Sequence, residues 1–220
     1  MVMATVLALP LGLWAGLKPD TAAAKTIMAG SILGFSLPTF WVGLMLIMVF
    51  SVWLGWLPPT GRGETVTVLG LEVSFLTADG LRHLFMPALN LALFKLALLI
   101  RLTRAGTREA MVQDYVRFAR AKGVPERRVV RVHVLKNIMI PIVTVIGLEF
   151  GSVIAFAVVT ETIFAWPGMG KLLIDSINVL DRAVIVAYVL IIVFMFVIIN
   201  LIVDLLYSLL DPRVRIPGAG

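Results

Sequence analysis

Few side chains in this sequence could carry out covalent chemistry. It contains no cysteine and only two histidines, His83 and His133, which fall on opposite sides of the apolar segments. A thiolate nucleophile, a disulfide and a His-based metal cluster are therefore excluded. Gly168-Met169-Gly170-Lys171-Leu172 is close in composition to a phosphate-binding loop. Ala165, however, stands at its first glycine position, and Leu172 stands where Ser or Thr would be needed. Pro167, Gly168 and Gly170 read instead as a tight turn, and neither G-x-S-x-G nor H-E-x-x-H occurs. The chain is not expected to be an enzyme. What remains is charge in unusual places. Lys95 and Glu149 stand inside otherwise apolar stretches, and residues 104–136 hold nine Lys/Arg against three acidic residues, matching the whole formal net charge of +6.

These charges sit among elements built for lipid. Of 220 residues 60% are apolar and only 15% charged, where a soluble domain carries about 25% charge. Ordinary cytosolic enzymes and disordered chains are excluded on that ground. Five segments have the length and composition of membrane spans: 1–17, 27–57, 84–102, 138–160 and 183–207. The sequence thus predicts an all-α polytopic bundle forming one transmembrane domain over 1–220. The second segment is long enough to require a tilt or bend, with Pro38 as the expected site. Trp53 and Trp56 near its end suit an interfacial belt. Gly12–Gly16, Gly30–Gly34 and Gly147–Gly151 each carry the G-x-x-x-G spacing of close helix crossings.

The positive-inside rule puts the basic loop 103–137 in the cytoplasm, together with Lys18, Lys25 and the C-terminal Asp211-Pro212-Arg213. Loops 58–83 and 161–182, each with more acidic than basic residues, then lie outside. By alternation Met1 starts outside, which points to an earlier helix missing from this chain. A cleaved signal ending at Ala22-Ala23-Ala24 fits less well, because a positive N-region is absent and Pro10-Leu11-Gly12 interrupts the apolar run.

Within the basic loop, Met111, Val112, Tyr115, Val116, Phe118 and Ala119 recur at three- and four-residue spacing, predicting one apolar helical face. Gly123 is a natural helix stop and Pro125-Glu126 a restart. The second helical piece then runs into the fourth span without a breaker. Pattern alone leaves two readings open, a basic helix lying on anionic lipid or a docking element for a soluble partner. Anchorage by spans at both ends argues against nucleic acid. Lys95 and Glu149 should face protein or a water-filled path, pairing with each other or lining the route. Alternatively, Lys95 snorkels and Glu149 is protonated. For Asn200 and Asp204, one turn apart, hydrogen bonding near a helix end is the favoured reading over a transport role.

Several separated motifs resemble, in order, the permeases of peptide-type ABC importers. They are Ser36-Leu37-Pro38-Thr39-Phe40-Trp41, Gly55-Trp56-Leu57-Pro58 and Asp114-Tyr115-Val116-Arg117-Phe118-Ala119-Arg120-Ala121-Lys122-Gly123. Then come Arg127-Arg128-Val129 with His133, Asn137 and Pro141, and Thr160-Glu161-Thr162-Ile163-Phe164-Ala165-Trp166-Pro167-Gly168-Met169-Gly170. Last are Asn200 to Tyr207 and Asp211-Pro212-Arg213. The resemblance covers nearly the whole chain and implies the type I importer permease fold, in an inner or plasma membrane.

By that resemblance the loop is an EAA-type coupling helix docking on a cytoplasmic ATPase. Ala119 and Gly123 take the places of the motif's second Ala and its Gly, while Arg117 and Phe118 stand where the wider superfamily has Glu and Ala. Glu109-Ala110 has the wrong spacing to serve. The implied ATPase contacts are Tyr115, Arg117, Ala119, Ala121, Lys122, Gly123, Pro125 and Arg127. The implied partners are a second related permease, two ATPases that hold ATP and Mg, and an extracytoplasmic binding protein; this chain itself binds no cofactor. Full family members have six spans, and residue 1 falls at the start of their second. An amide is more usual than Glu149. An ion-coupled carrier using Lys95, Glu149 and Asp204, or a scaffold with a basic docking loop, are the alternatives.

Overall fold

The computed structural model describes residues 1–210, so Asp211-Pro212-Arg213 and the expected inside placement of the C-terminus lie outside the described residues. The elements are α1 (Val2–Leu17), α2 (Ala22–Ser36), α3 (Thr39–Leu46), β1 (Val66–Val68), β2 (Leu71–Val73), α4 (Ala78–Met111), α5 (Asp114–Ala121), α6 (Glu126–Arg128), α7 (Leu135–Ile163), α8 (Met169–Asn178) and α9 (Arg182–Leu210). Wider π-helical turns continue α3 through Ile47–Trp53 and join α6 to α7 through Val129–Val134.

Three helical stretches, Ala78–Met111, Glu126–Ile163 and Arg182–Leu206, are long and apolar enough to cross a membrane. Among the described residues these correspond to the third, fourth and fifth expected spans, and a broken helix pair corresponds to the second. That pair is α2 with the α3 stretch, bent by 108°. The break falls where Pro38 adopts extended backbone (φ −61, ψ 137), since proline lacks an N–H and drives the residue before it out of the helical region. Helix α1, at the first expected span, is a shorter apolar helix of 16 residues.

The chain divides into two compact units, one of residues 35–94 and 151–194, the other of 2–34, 95–150 and the residues from Met195 on. In the first, the predicted loop 58–83 contains an unexpected β1–β2 hairpin, with Val66 opposite Val73 and Val68 opposite Leu71. Both turn residues have positive φ (Leu69 51°, Gly70 82°), as a two-residue hairpin turn requires. Asn90 Nδ2 donates to Thr160 Oγ1 at 3.1 Å, both side chains being buried. The expected turn falls at Pro167, where Gly168 N donates to Trp166 O at 2.8 Å, and Gly168 then leads into α8, which contains Gly170. Glu161 supplies the cap of this helix, its Oε2 accepting from Lys171 N at 2.9 Å. A Cβ on Gly168 would lie 2.2 Å from the Glu161 carboxyl carbon, so steric room decides that glycine.

In the second unit α4 is the central packing helix. Gly12 and Gly16 of α1 admit Thr103 and Thr107 of α4 so closely that a Cβ on either glycine would be 2.6 Å from the threonine Cβ. Gly106 of α4 faces Ile138 of α7, and Gly147 of α7 faces Val203 of α9. Of the three G-x-x-x-G pairs, the first lies wholly at a crossing, while Gly30 has nothing within 4 Å. The most apolar stretch of α9 has none of its residues buried, the surface expected of a helix facing lipid. Asn200 Nδ2 donates back to Phe196 O at 2.8 Å within α9.

Candidate functional site: the loop helix and its clasp

Helix α4 runs on through Met111, so Arg104 and Arg108 belong to it and the loop proper is shorter than 103–137. The loop helix likewise starts at Asp114, not Met111. Gln113 is extended (φ −71, ψ 151) and takes the position before α5, and its carbonyl accepts from Val116 and Arg117. Asp114 in the first turn and Arg120 in the last turn suit the helix dipole.

Helix α5 ends in a full Schellman motif. Val124 N donates to Ala119 O at 3.1 Å and Gly123 N donates to Arg120 O at 2.9 Å. Gly123 takes φ +73, where glycine has no Cβ penalty. Pro125, extended at φ −63 and ψ 142, then precedes α6 and its carbonyl accepts from Arg128 and Val129. From Glu126 to Ile163 the helical path is continuous, as the sequence predicts.

A bidentate pair closes this turn. Arg120 Nη2 lies 2.6 Å from Glu126 Oε1, and Nε lies 3.1 Å from Oε2. The hydrogen bonds from the Arg120 guanidinium hold the Glu126 carboxyl below its ordinary value, against a smaller opposing effect of burial. The same bonds raise Arg120. Sequence reasoning missed Arg120 as a functional residue, because neighbours six apart are not adjacent on a helix; only the reversal at Gly123 brings it to Glu126.

The residues of the loop helix and its turn separate into two sets. Val116 and Ala119 are buried at 0% and 5% exposure, and α5 packs on the 129–134 segment. Ala119, one of the implied ATPase contacts, is thus covered within its own chain, where its small size lets α5 approach. Tyr115, Arg117, Ala121, Lys122, Gly123, Pro125 and Arg127 are all exposed. Phe118, 62% exposed, carries the Lys122 ammonium 4.4 Å above its ring. A cavity of about 320 Å³ lies at the root of the loop, lined by Gly106, Glu109, Ala110, Gln113, Tyr115, Asn137, Ile138 and Pro141. A separate open cleft of about 530 Å³ is lined by Pro125, Arg127, Arg128, Arg131 and Val132.

Lys95 Nζ is paired with Glu149 Oε2, joining α4 to α7. The lysine side chain is 4% exposed and the carboxylate side chain 27%. Either charge alone would cost about 3 kcal/mol at the centre of a bilayer.

An exposed loop helix thus stands between long apolar helices. The fold matches a solved inward-facing conformation of the MetNI methionine ABC transporter with a TM-score of 0.71, at 14% identity, over 96% of this chain and 88% of that one. Over residues 8–216 the sequence matches the family described as binding-protein-dependent transport system inner membrane component. The chain belongs to that family and is a membrane permease component of a transport system. It is 42% identical to a di/tripeptide transport system permease protein of Pseudomonas aeruginosa, over 98% of this chain and 68% of that protein. It is also 42% identical to an oligopeptide transport system permease protein of Bacillus subtilis, over 97% of this chain and 66% of that one. To a glutathione transport system permease protein of Escherichia coli it is 39% identical, over 98% and 65%. The chain thus spans about two thirds of the length of these relatives.

Proposed function

We propose that this chain is one of two related permease subunits in an ATP-driven importer for di- and oligopeptides or similar small solutes. Its relatives include permeases of di/tripeptide, oligopeptide and glutathione transport systems, which supports the solute class. The density of Lys and Arg over 104–136 supports a cytoplasmic loop. There the exposed side of α5 and its turn, formed by Tyr115, Arg117, Ala121, Lys122, Gly123, Pro125 and Arg127, docks on a cytoplasmic ATPase. Two ATPases bind and hydrolyse ATP with Mg, and a binding protein outside the membrane delivers the solute. Closure of the ATPases shifts α5 and switches access.

The observation that carries this reading is the fixed angle of α5. A short exposed helix gains a defined direction from the Schellman turn at Gly123 and the Arg120–Glu126 clasp. A helix that merely rests on lipid has no use for such a fixture.

The test is a pull-down of the tagged chain from native membranes, alongside Arg117→Glu/Lys122→Glu. The wild-type chain should bring down an ATPase and a second permease, and the variant should keep the permease while losing most of the ATPase. If the wild type brings down no ATPase and uptake follows an ion gradient, the chain is a carrier and the reading fails.

A further inference from the structure

The helices on either side of the coupling loop touch in a constant register. Gly106 of α4 meets Ile138 of α7, with a Cβ on the glycine lying 3.2 Å from Ile138 Cγ2. Lys95 of α4 pairs with Glu149 of α7. Lys95 and Gly106 are eleven residues apart on one helix, as are Ile138 and Glu149 on the other. Eleven residues make about three turns, so both contacts fall on the same face of each helix, and α4 and α7 run antiparallel between them. Loop helix α5 caps its end.

Pro141 lies between the two contacts on α7. Proline leaves the carbonyl of Asn137 without its intrahelical partner, and a helix bends most easily at such a point. The Gly106–Ile138 contact is on the loop side of Pro141 and the ion pair is beyond it. With only the first contact, a push on α5 could bend α7 at Pro141 and be lost. With the ion pair in place, α7 beyond the proline must move with α4.

We propose that Lys95 and Glu149 are positioning residues that strap α4 to α7 across the Pro141 hinge, so that movement of the loop helix is transmitted into the membrane portion of the hairpin. This rests on the ATPase-docking reading above and assigns neither residue to solute binding. The pair is well suited to the task. A charge this enclosed cannot trade its partner for water without cost, so the strap resists opening where a surface pair would not.

The experiment uses the complete importer in liposomes, with ATP hydrolysis and solute uptake measured on the same sample. Glu149→Gln and Lys95→Met should each lower uptake per ATP hydrolysed by tenfold or more, with ATPase binding retained and the solute concentration for half-maximal uptake unchanged. Lys95→Glu/Glu149→Lys should recover at least a third of the wild-type ratio. The chain has no cysteine of its own, which permits a second variant, Lys95→Cys/Glu149→Cys. This variant is joined by a short reducible bis-thiosulfonate linker, since two side chains that pair through Lys and Glu stand too far apart for a disulfide. Uptake per ATP should be high when linked and fall on reduction, within one folded sample. An unchanged ratio in Glu149→Gln, or a linked sample no better coupled than the reduced one, overturns the strap while leaving ATPase docking intact. A shift in half-maximal concentration with the ratio preserved also overturns it and places the pair on the solute's route. Failure of the wild-type chain to bind any ATPase would remove both proposals.

Discussion

Gly123 offers a perturbation whose size follows from the backbone alone. Its φ is +73, and a Cβ added there would meet nothing within 4 Å. Replacement by alanine therefore introduces no clash, and the whole cost is that of a left-handed residue with a Cβ, about 1–2 kcal/mol. That corresponds to roughly a 5- to 30-fold shift against the native turn. Asparagine tolerates this region several-fold better than other residues and should cost less than alanine. Valine, branched at Cβ, should cost more than alanine. The direct readout is hydrogen exchange at the Val124 and Gly123 amides, whose bonds to Ala119 and Arg120 close the motif. Protection should fall in the order Gly, Asn, Ala, Val. The affinity of a partner ATPase for the chain in nanodiscs should fall in the same order, by no more than the same factor. Unchanged protection in Gly123→Ala, or an alanine variant that binds better than the asparagine variant, would refute the claim that the turn's handedness sets the angle of α5.

Three further outcomes follow from the geometry. Glu126 has a depressed pKa, so the clasp with Arg120 contributes fully above the ordinary carboxylate value and is lost as pH falls through the lowered one. Both groups are exposed, so the contribution is under ~1 kcal/mol. Exchange at the Gly123 amide should rise at acid pH beyond its intrinsic trend in the wild type, and Glu126→Gln should abolish that excess. Gly12→Val should lower the unfolding temperature of the purified chain, because a Cβ there falls 2.6 Å from Thr103 Cβ and 2.8 Å from Ile100 O, an overpacking of about 1–3 kcal/mol. Gly30→Ala, with open space around it, should leave that temperature level or raise it by the gain in helix propensity. Gly168→Ala should displace the Glu161 carboxylate from Lys171 N and increase exchange in the first turn of α8, whereas Gly70→Asn, in the open hairpin turn, should leave α8 untouched.

The parts of the fold legible in the sequence are those set by local rules. Pro38 in a run too long for one span announces a break, and the 108° bend falls where Pro38 itself takes extended backbone. The hairpin at Val66–Val73 was open to an alternation argument, but Leu69-Gly70 lacks the Asn-Gly or Asp-Gly signature of such turns. Helix α8 was hidden by its glycine-rich start. Gly168 and Gly170 look like turn residues alone until Glu161 beside the first and Val158 beside the second are seen to fill the space a Cβ would need. No local pattern contains those contacts.

At the loop helix, periodicity identifies apolar positions without telling which of them find cover. Met111, Val112, Tyr115, Val116, Phe118 and Ala119 look like one continuous face, yet only Val116 and Ala119 of α5 are buried. An eight-residue helix lying on the single 129–134 segment can hide a narrow stripe and no more. Val112, Tyr115 and Phe118 are left on the surface, beside Arg117 and Lys122. Apolar rings set among cations, on a helix whose direction is fixed at both ends, form a surface with both shape and charge preference. Lipid contact would satisfy the rings and the charges without requiring the fixed direction. A protein groove with acidic edges requires all three, and for that reason the clasp across Gly123 supports the proposal that a protein partner covers this face.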